Sequence, residues 1–167
     1  MLIVMAALPG AGKSAVAGAL GRVLPAAVVE VDPVEAAMWR AGVSHDQPTG
    51  PAACLAAEAV AEGVPALGRP VVIDAVEAAR GQLRALAARH GGPRVLHRGD
   101  VLGREGPPPT AGEPGPGHRG VRGAAWQSVA RRRATYEPWT DQRLVLDSIA
   151  DLGSNATKAQ EYLTTVR

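Results

Sequence analysis

Phenylalanine is absent from this sequence of 167 residues, cysteine occurs once, and lysine is confined to Lys13 and Lys158. One cysteine, Cys54, excludes an intramolecular disulfide. It stands in Ala52-Ala53-Cys54-Leu55-Ala56, where a thiol reads as a small buried hydrophobe rather than a reactive group. Long apolar runs are missing, since no segment reaches the roughly 18 apolar residues that a spanning helix needs. The apolar N-terminus is short and lacks the basic stretch that opens a secretory signal. The expectation is a cytoplasmic chain without a membrane partner. Charge of one sign is not in excess either. Eighteen Lys and Arg oppose 16 Asp and Glu, a formal charge of +2, too little to argue for nucleic acid. Aromatic residues make up 3% of the chain, and none interleave with basic residues as a base-stacking surface requires. A nucleic-acid partner is not expected.

What is present is a globular composition, 46% hydrophobic and 20% charged, at a length that suits one domain over residues 1–167. Such a chain can bury a core without disulfides, and is expected to act as a monomer or homodimer. The abundance of Ala, Gly, Pro and Arg reflects coding bias and carries no functional reading. Leu2 to Ala6 is a short, continuous apolar run and reads as a buried central strand of a parallel sheet. Ser14 to Leu24 has helical composition and stops at Pro25. Ala27 to Val31 reads as a second strand ending at Asp32-Pro33, and Val34 to Arg40 as a short helix. Gly42 to Pro51 reads as a loop and Ala52 to Leu67 as a helix weakened by Gly63 and Pro65. Val71 to Ile73 is a third strand ending at Asp74. Ala78 to His90 is a helix closed by Gly91-Gly92. Strands at Arg94–His97 and Leu144–Leu146 and helices at Ala124–Thr135 and Asn155–Val166 complete the chain. Alternating strands and helices predict an α/β fold with a five-stranded parallel sheet between helical layers.

Ala7-Leu8-Pro9-Gly10-Ala11-Gly12-Lys13-Ser14 has the spacing of a phosphate-binding loop, with Ala7 in place of the first glycine. Backbone N–H groups of such a loop converge on the β- and γ-phosphates, and glycines let the backbone approach. The helix that follows directs its positive end at the same oxygens. Pro9, Gly10, Ala11, Gly12, Lys13, Ser14 and Ala15 are therefore the candidate ATP-binding residues. Lys13 supplies a mobile point charge to the β/γ-phosphates, and the Ser14 hydroxyl can ligate Mg2+.

Ligands of open α/β sheets bind at the carboxyl ends of the strands, where Asp32, Asp74 and Asp147 are expected. Asp32 is the candidate to accept the proton of an acceptor hydroxyl, a helix cap being the alternative. Asp74 follows an apolar strand, as a Walker B acid that holds Mg2+ does. Asp147 is a candidate nucleotide contact or a turn residue. His45, Asp46 and Gln47 follow Trp39-Arg40 in a stretch that reads first as a plain polar loop, the lining of an acceptor pocket being the alternative. Gly99 to Gly123 holds Pro107-Pro108-Pro109 and many glycines, an irregular stretch of unusual length for one domain. Its Arg104, Arg119 and Arg122 suggest a lid that brings positive charge to the transferring phosphate and keeps water out. Arg131, Arg132 and Arg133 follow, spaced about 100° apart on a helix so that at most one or two face the site, a solvated helix face being the alternative.

The loop Leu8-Pro9-Gly10-Ala11-Gly12-Lys13-Ser14, Val31-Asp32-Pro33, Val71-Val72-Ile73-Asp74, Arg131-Arg132-Arg133-Ala134-Thr135-Tyr136 and Leu144-Val145-Leu146-Asp147 occur in an order that resembles the small P-loop kinases grouped with AAA-type ATPase domains. Chloramphenicol phosphotransferase, the zeta toxins, gluconate kinase and shikimate kinase are relatives of this kind. The resemblance implies ATP with Mg2+, phosphoryl transfer to a hydroxyl of a small molecule, and an acid near the acceptor at Asp32. It further implies lid arginines at Arg119 and Arg122, a substrate arginine at Arg132 four residues before Tyr136, and an adenine border at Asp147 and Ser148. The lid is longer and richer in Pro and Gly than the resemblance leads one to expect. Two alternatives stand beside this reading: a nucleic-acid end kinase using the same site on a 5′-hydroxyl, and a regulatory ATP-binding protein that hydrolyses ATP slowly.

A segment with few apolar anchors lacks intrinsic stability, and arginine-to-phosphate bonds can supply the closure energy of a lid. Hydrogen exchange over residues 99–123 is expected to slow when an ATP analogue is added. Unchanged exchange with the ATP analogue and an acceptor both present, together with intact transfer after deletion of Pro107 to Pro116, would overturn the lid.

Overall fold

Leu2 to Ala7 contains no polar side chain, and these residues form strand β1 (Leu2–Ala7), buried at every position. A strand without a solvated face belongs in the middle of a sheet covered on both sides. The computed structural model describes residues 1–7, 11–76, 94–99, 143–147 and 149–165, together with Gly81 and Ala85. Within them β1 is followed by α1 (Lys13–Val23), β2 (Ala27–Glu30), α2 (Val31–Arg40), α3 (Thr49–Ala66), β3 (Val71–Val76), β4 (Arg94–Gly99), β5 (Arg143–Asp147) and α4 (Leu152–Thr165). The five strands form one sheet in the order β2-β3-β1-β4-β5. Every pairing is parallel, with Met5 opposite Asp74 and Glu30 opposite Asp74 in register. The expected α/β architecture with a five-stranded parallel sheet is the one observed.

Alternation along β1 and β3 divides the core. Leu2, Val4 and Ala6 join Val71, Ile73 and Ala75 against Val31 of α2 and Ala53, Cys54, Ala57 and Ala61 of α3. Ile3, Met5 and Val72 point the other way, onto Val16, Ala17 and Leu20 of α1 and Ala159 and Leu163 of α4. Among the described residues the result is three layers, helix pair, sheet and helix pair, with β1 at the centre. All five strands end on one edge, and the chain crosses from one half of the sheet to the other beside β1, the switch point where such sheets bind ligands.

Several element boundaries differ from expectation, two of them for a shared reason. Helix α2 starts at Val31 rather than Val34, and α3 starts at Thr49 rather than Ala52. Each carries a proline, Pro33 or Pro51, in its first turn. Proline is harmless there because first-turn N–H groups have no intrahelical acceptor. Asp32 therefore lies in the first turn of a helix and does not close a strand. Pro65 lies inside the last turn of α3 without ending it. Helix α4 starts at Leu152 rather than Asn155, because the Asp151 carboxylate accepts the Ser154 N–H at 2.9 Å. Strand β3 extends through Val76, which puts Asp74 inside it. The helix expected over Ala78–His90 falls outside the described residues except for Gly81 and Ala85, which are helical. The lid and the helix expected over Ala124–Thr135 lie wholly outside them, apart from Gly99 at the end of β4.

Close approach of α1 to β2 depends on Gly21. A Cβ there would lie 2.5 Å from Val28 Cγ2 and 3.4 Å from the Ala26 carbonyl oxygen, whereas at Gly18 the nearest atom would be 3.8 Å away. Gly→Ala in a helix ordinarily stabilises by about 0.5–1 kcal/mol. Gly18→Ala should show that gain in urea titration. Gly21→Ala should instead destabilise by about 1–3 kcal/mol, the range of an overpacked core. Equal effects at the two positions would refute the close packing of α1 on β2.

Candidate functional site

Strand β1 delivers the chain to the binding edge of the sheet, and α1 leads it away. Between them Gly12 takes φ 75° and ψ 24°, the left-handed conformation that glycine adopts without the Cβ penalty. Helix α1 has no side-chain cap and no acidic residue in its first turn. Its positive end is therefore not neutralised by the chain's own carboxylates within that turn. Lys13, the first helical residue, is buried, a rare state for lysine unless it is paired.

Its partners are two of the three carboxylates singled out above. Lys13 Nζ lies 3.4 Å from Asp74 Oδ1 and 3.7 Å from Asp32 Oδ2. The two acids differ in environment. The Asp74 side chain is 2% exposed and that of Asp32 is 48% exposed. Asp74 Oδ1 has no hydrogen-bond partner among the described residues, so the ammonium is its main compensation. Asp32 is not the N-cap of α2. That position belongs to Glu30, which makes no side-chain cap bond. Position two of the helix turns the Asp32 carboxylate toward Lys13 and leaves it open to solvent.

Ser14 is half-buried beside Lys13, Ala15 is exposed, and Ala11 precedes Gly12 at the bend. Pro9 and Gly10 lie outside the described residues, as do Arg119, Arg122 and Arg132. Among the described residues, no group of three His, Cys, Asp or Glu side chains is gathered to hold a metal by itself.

The sequence from residue 2 to residue 101 matches the family described as AAA domain. The chain belongs to that family. No curated protein matches it. Among solved structures, this AAA domain is similar to a gluconokinase from Sinorhizobium meliloti 1021, at 16% identity and a TM-score of 0.64, covering 98% of this chain and 91% of that one. A sugar kinase from Janibacter sp. HTCC2649 gives 16% identity and a TM-score of 0.63, covering 99% and 95%. The APS kinase CysC of Mycobacterium tuberculosis, solved in complex with AMPPNP and APS, gives 17% and 0.66, covering 98% and 96%. At these identities the likeness establishes a shared P-loop kinase fold.

Asp147 ends β5 on the same edge of the sheet, two strands from β1. Its Oδ1 accepts the Ile149 N–H at 2.9 Å, so one oxygen serves the turn. Asn155, fully buried, donates to the carbonyls of Asp147 at 2.8 Å and Ala150 at 3.2 Å, and ties this turn to α4. Sequence reasoning passed over Asn155. It also passed over Glu35 and Thr49, which with Trp39 form a hydrogen-bonded chain between α2 and α3. Spacing was the available signal for part of it: Asp32, Glu35 and Trp39 fall at i, i+3 and i+7, one stripe of a helix. Among the described residues no helix is long and apolar enough to cross a membrane.

The one thiol of this AAA domain belongs to the core. Burial, with Glu58 nearby as a lesser cause, pushes Cys54 up from 9.0 to about 11. The folded thiol stays neutral while the unfolded one ionises, so its stabilising contribution is present below pH 9 and lost as pH rises toward 11. At pH 8 about a thousandth of the thiol is thiolate. Alkylation of native protein by iodoacetamide should be at least about 100-fold slower than in urea; comparable rates would place Cys54 at the surface.

Proposed function

We propose that the chain is a single catalytic domain that transfers the γ-phosphate of ATP to a hydroxyl of a small molecule. The observation that carries this reading is Lys13 Nζ held between Asp74 and Asp32, one carboxylate buried and one exposed, at the end of β1. A protein that only needed to bind nucleotide would have no use for a second, solvent-facing carboxylate at that point. The family match, and a fold shared with a gluconokinase, a sugar kinase and an APS kinase, support it.

In this reading the loop from Pro9 to Ser14 and the first-turn amides of α1, Ala15 among them, bind the phosphates. Lys13 leaves the carboxylates and follows negative charge onto the γ-phosphate as it develops. Asp32 accepts the proton of the acceptor hydroxyl and aligns its oxygen with phosphorus; the O–H bond breaks as the new P–O bond forms and the bond to the ADP oxygen breaks. Asp74 Oδ1 and the Ser14 hydroxyl suit a hard cation that takes oxygen ligands and keeps several waters, and are the residues that would hold Mg2+. Bound with ATP, Mg2+ would neutralise charge on the β- and γ-phosphates. Arg119, Arg122 and Arg132 are assigned to the transferring phosphate and the acceptor, and Asp147 to the border of the adenine.

Three variants separate these roles. Lys13→Ala should lower turnover by roughly two or more orders of magnitude, the scale of losing one main charge stabiliser. Asp32→Asn should cut transfer while leaving ATP affinity near wild type. Asp74→Asn should weaken the Mg2+ dependence of nucleotide binding measured by calorimetry. Wild-type transfer in Asp32→Asn would remove Asp32 from proton transfer at the acceptor, and unaltered affinity and turnover in Lys13→Ala would remove the phosphate site from this loop.

A further inference from the structure

Helix α2 carries more than Asp32 toward the site. Seven residues turn a helix through about 700°, so Trp39 lies within about 20° of Asp32 around α2, and about 10 Å further along its axis. Glu35 lies between them on the same stripe. Because Asp32 meets Lys13, this stripe runs from the centre of chemistry outward along α2. Its far end is built as a rigid aromatic platform. Trp39 Nε1 donates to Thr49 Oγ1 at 3.0 Å, and the Thr49 hydroxyl donates to Glu35 Oε1 at 2.7 Å. Thr49 is buried, so the bonds form away from competing water. On the braced indole lies His45, ring centroids 4.4 Å apart and planes tilted by 33°. His45 itself is exposed, in the loop between α2 and α3.

Charge along this stretch is predominantly negative. From Glu30 to Thr49 the carboxylates are Glu30, Asp32, Glu35 and Asp46, against the single cation Arg40. An anionic acceptor lying along α2 would meet repulsion there, whereas a neutral molecule with a flat ring would find a surface for stacking.

We infer that the acceptor is an uncharged alcohol carrying a planar ring about 10 Å from its reacting hydroxyl, and that the Trp39–His45 pair recognises the ring. This rests on the phosphotransfer reading of the site. Trp39 and His45 determine specificity. Thr49 and Glu35 are positioning residues, acting through the indole.

Ligand-observed NMR titration in the presence of a non-hydrolysable ATP analogue tests it with three probes: phenyl β-D-glucopyranoside, methyl β-D-glucopyranoside and gluconate. The first two differ only in the ring. Phenyl glucoside should bind about ten-fold tighter than methyl glucoside, the scale of one aromatic contact with its area burial, and gluconate no tighter than methyl glucoside. Trp39→Ala should erase the ring preference with ATP-analogue affinity unchanged, Trp39→Phe should keep most of it, and Thr49→Val, which preserves side-chain volume, should reduce it without abolishing the fold. Equal affinity of the two glucosides, absence of phenyl glucoside binding, preference for gluconate, or a ring preference that survives Trp39→Ala overturns the inference. Binding is read without turnover. A ring preference in a protein that transfers no phosphate would leave the Trp39–His45 ring site standing and defeat the phosphotransfer reading, and efficient transfer to both glucosides alike would do the reverse.

Discussion

A buried ammonium must have a carboxylate within reach or give up its charge, and much of this architecture can be read from how Lys13 meets that demand. Its partners come from two different elements. Asp74 is fixed by β3, hydrogen-bonded directly to β1, and Asp32 by the first turn of α2. Only a sheet that places β3 beside β1, with α2 arriving over the same edge, brings both to one nitrogen at 3.4 and 3.7 Å. The pairing also stores the site in a usable form. Among the described residues Lys13 is held by carboxylates, which it can exchange for phosphate oxygens, and an acid whose oxygen lacks a hydrogen bond there is ready for a cation.

The two core faces explain why this edge is firm enough to hold such a centre. On one face α3 packs through Ala53, Cys54, Ala57 and Ala61, residues small enough for the helix to lie close over β1 and β3. On the other, α1 packs through Val16, Ala17 and Leu20, and Gly21 lets its end approach β2. Side chains that alternate between faces anchor the same two strands twice, so the carboxyl end of β1 and the start of α1 have little freedom to separate.

The acceptor side follows from the same helix that carries Asp32. Placing that acid at position two of α2 rather than at its cap aims it across the sheet edge. The helix period then sets Glu35 and Trp39 along the same line. A hydroxyl that both accepts from Trp39 and donates to Glu35 joins α2 to the start of α3. The geometry of the proposed acceptor path is therefore tied to the packing of two helices and does not rest on a loop alone.

Much of the fold was legible from residues 2–6, 14–24, 71–73 and 144–146, because apolar runs bounded by glycine, proline or acid are short-range signals. The candidate phosphate loop was legible for the same reason: its chemistry lies in consecutive residues, Pro9 to Ser14. Element starts at Pro33 and Pro51 were misplaced because a local rule treats proline as a breaker, whereas the first turn of a helix has no hydrogen bond for it to break. What the chain could not disclose by itself were relations between distant residues. That Lys13 touches Asp74 and Asp32, that Asp32 is exposed while Asp74 is buried, and that Thr49 links Glu35 to Trp39 depend on strand order and helix packing. Sequence by itself determined which groups can bind phosphate, accept a proton or hold a cation, since those capacities belong to side chains. Tertiary structure alone decided which of them share one nitrogen, because distances across a sheet are set by pairing and burial summed over the whole core.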